Sequence, residues 1–397
     1  MGADRTSAGH TSEERKRARE LGVPLTGEPG PWNAITDVPG VEVGYVTLVE
    51  GEDVRTGVTA LLPRGRNGVG TPCAAGWHSF NGNGEMTGTT WIEESGSLAV
   101  PVVITNTYAV GTAHRGVVEW IRANRRGMAP EWLLPVVTET WDGYLNDIHG
   151  AAVESRHAAD AIEAAASGPV EEGCVGGGTG MRCYGFKGGS GTASRVVRYG
   201  EDRYTVGAFV QANFGARREL VVAGVPVGRE LPDPAVAPTS EPIPGGERPV
   251  PEGERPGPER ERPVPPGAGS VIVVVATDAP LLPGQCKALA RRVTLGLART
   301  GTTGSHFSGD LFLAFSTANP SALTSTFPED DGSAPYESMR FVPWGRMDPF
   351  YGAVVEAVEE AVLNVLTGAH PMTGRAGHHV PALPLDQVTE ILAARGQ

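Results

Sequence analysis

Residues 270–276 read Ser270-Val-Ile-Val-Val-Val-Ala276, a run dominated by β-branched side chains that begins with a serine. A half-exposed strand alternates apolar and polar residues, so an uninterrupted apolar run is typical of a strand covered on both faces. Such a strand lies inside a sheet, and its neighbours must come from earlier parts of the chain. The run therefore predicts a layered α/β fold that is built around this strand.

Further strands and several helices are indicated on either side of that run. Segments bounded by glycine, proline or aspartate that have the composition of strands are 38–48, 57–62, 97–105, 133–138, 194–199 and 204–211. Segments with an apolar helical face or a high alanine content are 111–126, 149–166, 283–299 and 350–366. Strands in groups with helices before and after them predict an α/β fold with two stacked, mainly antiparallel sheets and helices outside, a four-layer α/β/β/α sandwich.

Composition excludes several classes of function. The chain has 33 basic and 46 acidic residues and a formal net charge of −13, which argues against binding nucleic acid by phosphate neutralisation. Its four cysteines form no C-x-x-C pair and no zinc-type spacing with histidine. Residues 11–20 are highly charged, and no apolar run is long enough to span a bilayer. We therefore expect a cytoplasmic protein with no membrane or nucleic-acid partner.

A proline-rich segment, residues 226–267, interrupts this globular pattern. It repeats proline, glutamate and arginine with few large apolar side chains, so it cannot bury enough surface to offset the entropy of ordering it. We expect an exposed excursion that ends just before the Ser270 strand. It divides the chain into residues 1–269 and 270–397, which we expect to remain one co-folded domain.

The Gly269–Ser270 junction is where cleavage would create a useful chain end. A serine exposed there carries a hydroxyl and a free α-amine, and an α-amine with a reference pKa of about 7.7–8.0 can accept the hydroxyl proton without a histidine. Glycine before the serine leaves the preceding carbonyl open to attack. The alternative interpretation is a linker that simply meets a strand.

Four motifs, in this order along the chain, give a more specific indication. They are Glu139-Thr-Trp-Asp-Gly-Tyr-Leu-Asn-Asp147, Val210-Gln-Ala-Asn-Phe-Gly215, Gly269-Ser-Val-Ile-Val-Val-Val-Ala-Thr-Asp-Ala-Pro-Leu281 and Gly304-Ser-His-Phe-Ser-Gly-Asp310. Together they resemble the self-processing L-aminopeptidase/D-esterase and β-peptidyl aminopeptidase family, over about residues 34–366. The long proline-rich segment departs from this resemblance, because the corresponding connection in the family is shorter.

The resemblance implies roles for particular residues. Ser270 corresponds to the nucleophile of both self-cleavage and hydrolysis, and Ser308 and Asp310 correspond to a Ser-x-acid pair that supports it. Family members often carry glutamate where Asp310 stands, so the shorter side chain changes its reach. A hydroxyl and a carboxylate two residues apart can both face one site and relay a proton. Without the resemblance, this pair is equally typical of a helix cap or a turn.

The resemblance also implies an oxyanion site and an amine site. Asn213 and Tyr144 match the stabilisers of the oxyanion, and an amide N–H and a phenol O–H are suitable neutral donors. An aminopeptidase needs a negative charge for the substrate amine, for which Asp142 is the first candidate and Glu139 the second. Each of these residues has a structural alternative, as a turn residue, a partly buried aromatic residue or a loop cap.

Two other groups of residues carry no function in this interpretation. The glycine-rich stretches 176–180 and 188–191 lack the phosphate-loop motif, and the second leads into a strand rather than a helix. We expect loops that let the backbone approach the active site. His378 and His379 lack a third spaced ligand and are interpreted as a polar turn, and His306 is at most a neighbour of the Ser308 motif.

The sequence thus predicts a self-cleaving N-terminal-serine aminopeptidase that acts on small peptides, amino-acid amides or esters through an acyl-enzyme. No metal or organic cofactor is required, and the resemblance implies a homo-oligomer, such as a tetramer. One alternative is an acyltransferase of the ornithine-acetyltransferase type, which usually exposes threonine instead of serine. The other is an uncleaved, non-catalytic scaffold. Preference for L-, D- or β-amino acyl groups stays open.

Overall fold

The computed structural model describes residues 16–125, 127, 132–231, 265–325, 327 and 336–396. Its strands are β1 (Glu42–Glu50), β2 (Val54–Leu62), β3 (Cys73–Gly82), β4 (Ser97–Leu98), β5 (Val102–Asn106), β6 (Val136–Thr140), β7 (Arg182–Cys183), β8 (Phe186–Lys187), β9 (Gly189–Tyr199), β10 (Asp202–Gly215), β11 (Gly267–Thr277), β12 (Ser308–Ser316), β13 (Met372–Thr373) and β14 (His379–Val380). Its helices are α1 (Thr89–Ser95), α2 (Val110–Asn124), α3 (Ser155–Glu163), α4 (Val227–Glu230), α5 (Pro283–Arg299), α6 (Asp348–Gly368) and α7 (Leu385–Ala394).

Two sheets are stacked between two pairs of helices. One sheet has the strand order β1-β2-β5-β6 and the other β4-β3-β12-β11-β10-β9. Neighbouring strands are antiparallel except for the pairs β5–β6 and β11–β12. Helices α2 and α3 pack on the four-stranded sheet, and α5 and α6 pack on the six-stranded sheet. The predicted four-layer α/β/β/α sandwich is confirmed.

Strand β11 lies inside the six-stranded sheet, as its apolar run indicates. Val271, Val273 and Val275 pack toward the layer of α5 and α6, whereas Ile272 and Val274 pack into the core between the two sheets. All five side chains are fully buried. Burying an aliphatic side chain of this size stabilises a fold by roughly 1.5–3 kcal/mol. Both faces of the strand are therefore held, and its amino end is kept at one edge of the core.

Two predicted elements differ in the structure, one divided and the other shortened. The predicted strand 97–105 forms β4 and β5, which belong to different sheets, because Pro101 has no N–H to join a ladder. The predicted helix 149–166 is shortened to α3. Ala151 has a positive φ of 51°, which is not helical. His157 Nδ1 accepts from the Glu154 N–H at 3.0 Å, so the helix begins after Glu154.

Most of the proline-rich segment lies outside the described residues, which resume at residue 265. At its start, residues 227–230 form the short helix α4 rather than an exposed chain, because Val227 and Leu231 are buried against the core. The four cysteines are buried and free. Among the residues for which coordinates are described, no helix has the length and apolar character needed to cross a membrane.

Candidate active site

The candidate nucleophile lies where three strands meet. In the register of the six-stranded sheet, Ser270 on β11 stands opposite Asn213 on β10 and beside Gly309 on β12. Its side chain is buried, with 1% of the residue exposed. The Trp141 N–H donates to Ser270 Oγ at 3.1 Å. The serine is thus fixed between strands that come from both sides of the junction at Gly269.

Gly269 occupies a place that only glycine fits. A Cβ at this position would overlap the carbonyl oxygen of Asn213 on the neighbouring strand. The Gly269 N–H donates to the Phe307 carbonyl at 3.1 Å, which holds this residue on its other side. The peptide bond between Gly269 and Ser270 is therefore held in one position, with the carbonyl of a residue that has no side chain.

The Ser308–Asp310 pair is assembled at the start of β12. Ser308 is the register partner of Gly269, and its hydroxyl donates to Asp310 Oδ1 at 2.5 Å. Both residues are buried. Their strand conformation excludes the turn or helix-cap alternative for this motif, because β12 is extended from its first residue.

Asn81, at the end of β3, holds Asp310 from the opposite side. Its Nδ2 donates to Asp310 Oδ2 at 3.0 Å, and its Oδ1 accepts from the Asp310 N–H at 2.7 Å. Burial raises the pKa of Asp310 to about 6, although hydrogen bonds from Ser308 and Asn81 favour its carboxylate form. Near neutral pH, this carboxyl can both accept and return a proton.

Asn213 presents an amide donor beside the junction. Its Oδ1 accepts from the Arg182 N–H at 2.9 Å, which fixes the orientation of the amide. Its Nδ2 donates to the Trp141 carbonyl at 2.8 Å and lies 3.3 Å from the point where a Cβ on Gly269 would stand. An amide NH2 has two protons, so one of them is left to face the Gly269 side.

Tyr144 lies on the turn that follows β6, between two side chains. The His378 ring is stacked on one side with a centroid distance of 4.5 Å, and the Arg182 guanidinium lies 4.0 Å from the centroid of the Tyr144 ring. His378 Nδ1 also contacts the Tyr144 carbonyl at 2.8 Å. Because the Arg182 backbone binds Asn213 while its side chain packs on Tyr144, one residue links both candidate oxyanion donors.

The two candidate acids face different surroundings. Glu139 Oε1 accepts from the Glu85 N–H at 3.1 Å, and its Oε2 accepts from the Thr107 hydroxyl. Asp142 Oδ1 accepts from Asn146 Nδ2 at 3.1 Å, within its own turn. Burial raises the pKa of both carboxyls, to about 7 for Asp142.

Glu139 lies near Gly309 on β12, the residue that pairs with Ser270. A Cβ on Gly84 would stand 3.1 Å from the Gly309 Cα and 3.2 Å from Glu139 Oε1. Gly309 in turn pairs with Ser270. For Asp142, the corresponding observation is that a Cβ on Gly180 would stand 2.8 Å from the Asp142 Cβ and 2.3 Å from the Arg55 carbonyl oxygen.

The glycine-rich stretches serve packing. Residues 176–178 form a 3₁₀ turn against β2 and β9, and residues 189–191 begin β9. Of the histidines, His379 is in β14 and His306 contacts the exposed ring of Phe307, whereas His378 supports Tyr144. The interpretation of His378 as a polar turn residue was therefore incomplete, because it missed the contact with Tyr144.

Three residues of the site were not singled out from the sequence. They are Asn81, which holds Asp310, Trp141, which contacts Ser270, and Arg182, which links Asn213 to Tyr144. Trp141 acts through its backbone, so its side-chain type carries no signal. Asn81 could have been found if strand β3, which ends at the site, had been predicted from the sequence.

Comparison with known proteins adds independent findings. Residues 33–380 match the model of peptidase family S58. β-Peptidyl aminopeptidase BapA of Sphingosinicella microcystinivorans is 48% identical over 398 residues, with 97% of this chain and 94% of that protein covered. The protein of the same name from Sphingosinicella xenopeptidilytica is 40% identical, with 96% and 91% covered.

Solved structures show the same fold. A β-aminopeptidase of Burkholderia sp. superposes with a TM-score of 0.83 at 41% identity, with 96% of this chain and 99% of that chain covered. The L-aminopeptidase D-Ala-esterase/amidase of Ochrobactrum anthropi, described as a variant of the Ntn hydrolase fold, gives 0.81 at 43% identity with the same coverage. Since the family match runs from before β1 to the end of β14 and includes the whole candidate site, the chain belongs to peptidase family S58.

Proposed function

We propose that this protein is an N-terminal-serine aminopeptidase, which is made as one chain and cuts itself between Gly269 and Ser270. The observation that carries the proposal is the convergence of Ser270, Asn213 and the Ser308–Asp310 pair on one peptide bond. The two parts remain one fold after cleavage, because β11 is hydrogen-bonded between β10 from the first part and β12 from the second.

Self-cleavage follows from this geometry. Ser270 Oγ bonds to the Gly269 carbonyl carbon, and its proton passes through Ser308 to the Asp310 carboxylate. The free Nδ2 proton of Asn213 stabilises the oxyanion, with Tyr144 as the second donor. When the C–N bond breaks, the Ser270 nitrogen takes the proton and becomes an α-amine. Water then hydrolyses the resulting ester, which restores the hydroxyl and leaves a carboxylate on Gly269.

Hydrolysis of substrates repeats these steps on an external carbonyl. The Ser270 hydroxyl attacks the carbonyl after the substrate's N-terminal residue, and the α-amine next to it accepts the proton. The leaving amine or alcohol departs with that proton, and water releases the acyl group. The Ser270 hydroxyl, its own α-amine, the oxyanion donors and water take part in these steps.

Glu139, rather than Asp142, is the better partner for the substrate's amine in this proposal. Glu139 faces the Gly84–Gly309 side, next to the register partner of Ser270, whereas Asp142 is bonded within its own turn to Asn146. A carboxylate that already accepts one backbone and one hydroxyl hydrogen bond keeps its position when an ammonium group arrives.

A free amine should therefore be essential in the substrate. We expect the enzyme to hydrolyse the p-nitroanilides of alanine and β-alanine, and to be inactive on the N-acetylated forms of both. Glu139→Gln should raise KM for the free-amine substrates by about tenfold or more, since a charge-assisted hydrogen bond is lost. Steady-state kinetics on purified, processed protein measures both effects.

Asp142→Asn is the matched comparison, because it removes an equally buried carboxylate from the same segment. A larger rise in KM for this variant than for Glu139→Gln would assign the amine to Asp142 instead. Equal hydrolysis of free and acetylated amides would contradict aminopeptidase activity altogether. The ratio of the hydrolysis rates for the two free-amine substrates also reports the preference between α- and β-amino acyl groups. The names of the relatives lead us to expect that β-amino acyl groups are accepted.

Self-cleavage should depend on the ionisation of Asp310. The pKa of this carboxyl is raised to about 6 by burial in the intact chain, in which Ser270 has no free amine. Only the carboxylate accepts a proton, so the rate should fall as pH drops through about 6. Precursor made by cell-free translation and shifted to buffers between about pH 5 and 8 measures this rate.

Two variants test the assignment of that pH dependence. Asn81→Ala removes a hydrogen bond that favours the carboxylate, so it should move the acidic limb to higher pH. Asp310→Asn should remove the limb and slow cleavage at every pH. A limb that stays in place in Asp310→Asn would show that another group titrates.

We further propose that the mature protein is cytoplasmic and forms a homo-oligomer, such as a tetramer. Several large aromatic side chains are half exposed or more, among them Trp32, Tyr336 and Trp344, and such side chains are commonly covered by association. Light scattering on the processed protein gives the mass of the assembly.

A further inference from the structure

The hairpin formed by β13 and β14 lies against the turn that carries Tyr144. Its connecting loop, residues 374–378, closes on itself, because the Gly374 N–H donates to the His378 carbonyl at 2.9 Å. A Cβ on Gly374 would overlap the Leu145 carbonyl oxygen. The close approach of this loop to the turn therefore requires glycine at that position.

The loop binds three successive carbonyl groups of the turn. The Arg375 guanidinium donates to the Gly143 carbonyl at 3.0 Å, and the Arg375 backbone N–H donates to the Leu145 carbonyl at 2.8 Å. His378 Nδ1 lies 2.8 Å from the Tyr144 carbonyl oxygen, and it is the donor because a carbonyl oxygen can only accept. The backbone of the turn is thus held at Tyr144 and at the residue on either side of it.

His378 also contacts the side chain of Tyr144. The centroids of the two rings are 4.5 Å apart, and the interplanar angle of 14° is that of a stacked pair. The hydrogen bond fixes the main chain of Tyr144 and the stacked ring fixes the direction of its side chain. The neighbouring His379 bonds within the hairpin instead, where its Nδ1 lies 2.9 Å from Thr373 Oγ1.

The loop and the turn lie on different sides of the proposed cleavage site. Tyr144 precedes Ser270 in the chain and His378 follows it. Cleavage therefore leaves one candidate oxyanion donor in the larger fragment, held by a residue of the smaller fragment. Such a donor must lie about 2.7–3.1 Å from the oxyanion, and a displacement of about 1 Å can cost about 10²-fold in rate.

We propose that His378 is a positioning residue, which holds Tyr144 in the orientation in which its phenol hydroxyl donates to the oxyanion. This inference rests on the proposed function, which assigns that role to Tyr144. His378 does not touch the reacting atoms, so its replacement lowers kcat only through Tyr144. An oxyanion donor acts on the transition state more than on the bound substrate, so KM changes little.

A double-variant cycle on purified, processed protein tests the proposal. We expect Tyr144→Phe to lower kcat for β-alanine p-nitroanilide by about 10²-fold, and His378→Ala by about tenfold, with KM changed by less than about twofold in both. In the Tyr144→Phe background, His378→Ala should lower kcat no further, because the hydroxyl that it positions is absent. His379→Ala is the matched control, since His379 is an exposed histidine of the same hairpin, and it should leave kcat unchanged.

Two further replacements separate the two contacts of His378. His378→Asn keeps an amide donor near the place of Nδ1, and His378→Phe keeps a ring that can stack on Tyr144. Each should recover part of the kcat that is lost in His378→Ala. If neither exceeds the alanine variant, the two contacts do not carry the effect and the proposal is wrong.

Losses of kcat that multiply in the double variant would overturn the proposal, because His378 would then act independently of the Tyr144 hydroxyl. A His378→Ala chain that is not processed while Tyr144→Phe is processed would overturn it for the same reason. A Tyr144→Phe variant that keeps its kcat would contradict the oxyanion role of Tyr144 in the proposed function as well. Multiplying losses in an enzyme that is processed and active contradict this inference alone.

Discussion

Ser270→Ala should accumulate as one uncut chain of 41.5 kDa that hydrolyses no amide. The variant lacks the oxygen that attacks Gly269, and without cleavage no α-amine is exposed to act on substrates. Removal of the nucleophile in a serine hydrolase costs about 10⁴–10⁶-fold in rate. Denaturing gel electrophoresis over several days of incubation measures the cleavage, and the p-nitroanilide assay measures the hydrolysis.

Folding of this variant can be separated from its chemistry. Ser270 is buried and accepts one backbone hydrogen bond, from Trp141, so its loss removes little packing. We expect the uncut variant to unfold in one cooperative thermal transition. As a positive control, Ser270→Cys should retain slow cleavage, because a thiol is also a nucleophile. Cleavage of Ser270→Ala at residue 269 would remove Ser270 from the mechanism.

Asn213→Ala should slow both self-cleavage and hydrolysis by about 10²–10³-fold, which corresponds to roughly 3–4 kcal/mol of oxyanion stabilisation. Its Nδ2 lies beside Gly269, and its orientation is set by bonds to Trp141 and Arg182. Because the donor acts mainly on the tetrahedral state, the loss should appear in kcat more than in KM. Steady-state kinetics of the processed fraction measures this division.

Gln211→Ala provides the matched control for that variant. Gln211 is a buried amide two residues earlier on β10, so it faces the same side of the strand, and its Nε2 donates to Thr140. We expect its replacement to lower the melting temperature while kcat changes far less than in Asn213→Ala. Similar losses of kcat in the two variants would mean that Asn213 acts by stabilising the strand and not the oxyanion.

The fold was predictable from the sequence where one physical signal dominates. The apolar run of β11 predicted a strand with two covered faces, and the helical faces of α5 and α6 predicted the outer layer. Strands β3 and β12 were missed. β3 reads Cys-Ala-Ala-Gly-Trp-His-Ser-Phe-Asn-Gly, and its small and polar residues show no alternation of apolar and polar side chains. This strand is stabilised instead by its pairing with β12 and by the packing of α5.

Only those residues of the candidate site that lie in recognisable motifs could be predicted from the sequence. The motifs named Ser270, Ser308 and Asn213 without showing that one sheet register brings them together. Asn81 and Arg182 could not be found in this way, because they act by contacts between residues that are far apart in the chain. In the sequence, Asn81 is an asparagine at a strand end and Arg182 is a lone arginine, and neither indicates a site. Their contacts form only because β3 pairs with β12 and β7 lies beside β10.

The most direct test of the proposed function is the mass and amino-terminal sequence of every fragment in the purified, unaltered protein. We predict two fragments, the smaller of which begins Ser-Val-Ile-Val with a free α-amine on Ser270. A single intact chain that still hydrolyses alanine or β-alanine amides would contradict the claim that an exposed amino-terminal serine performs the chemistry.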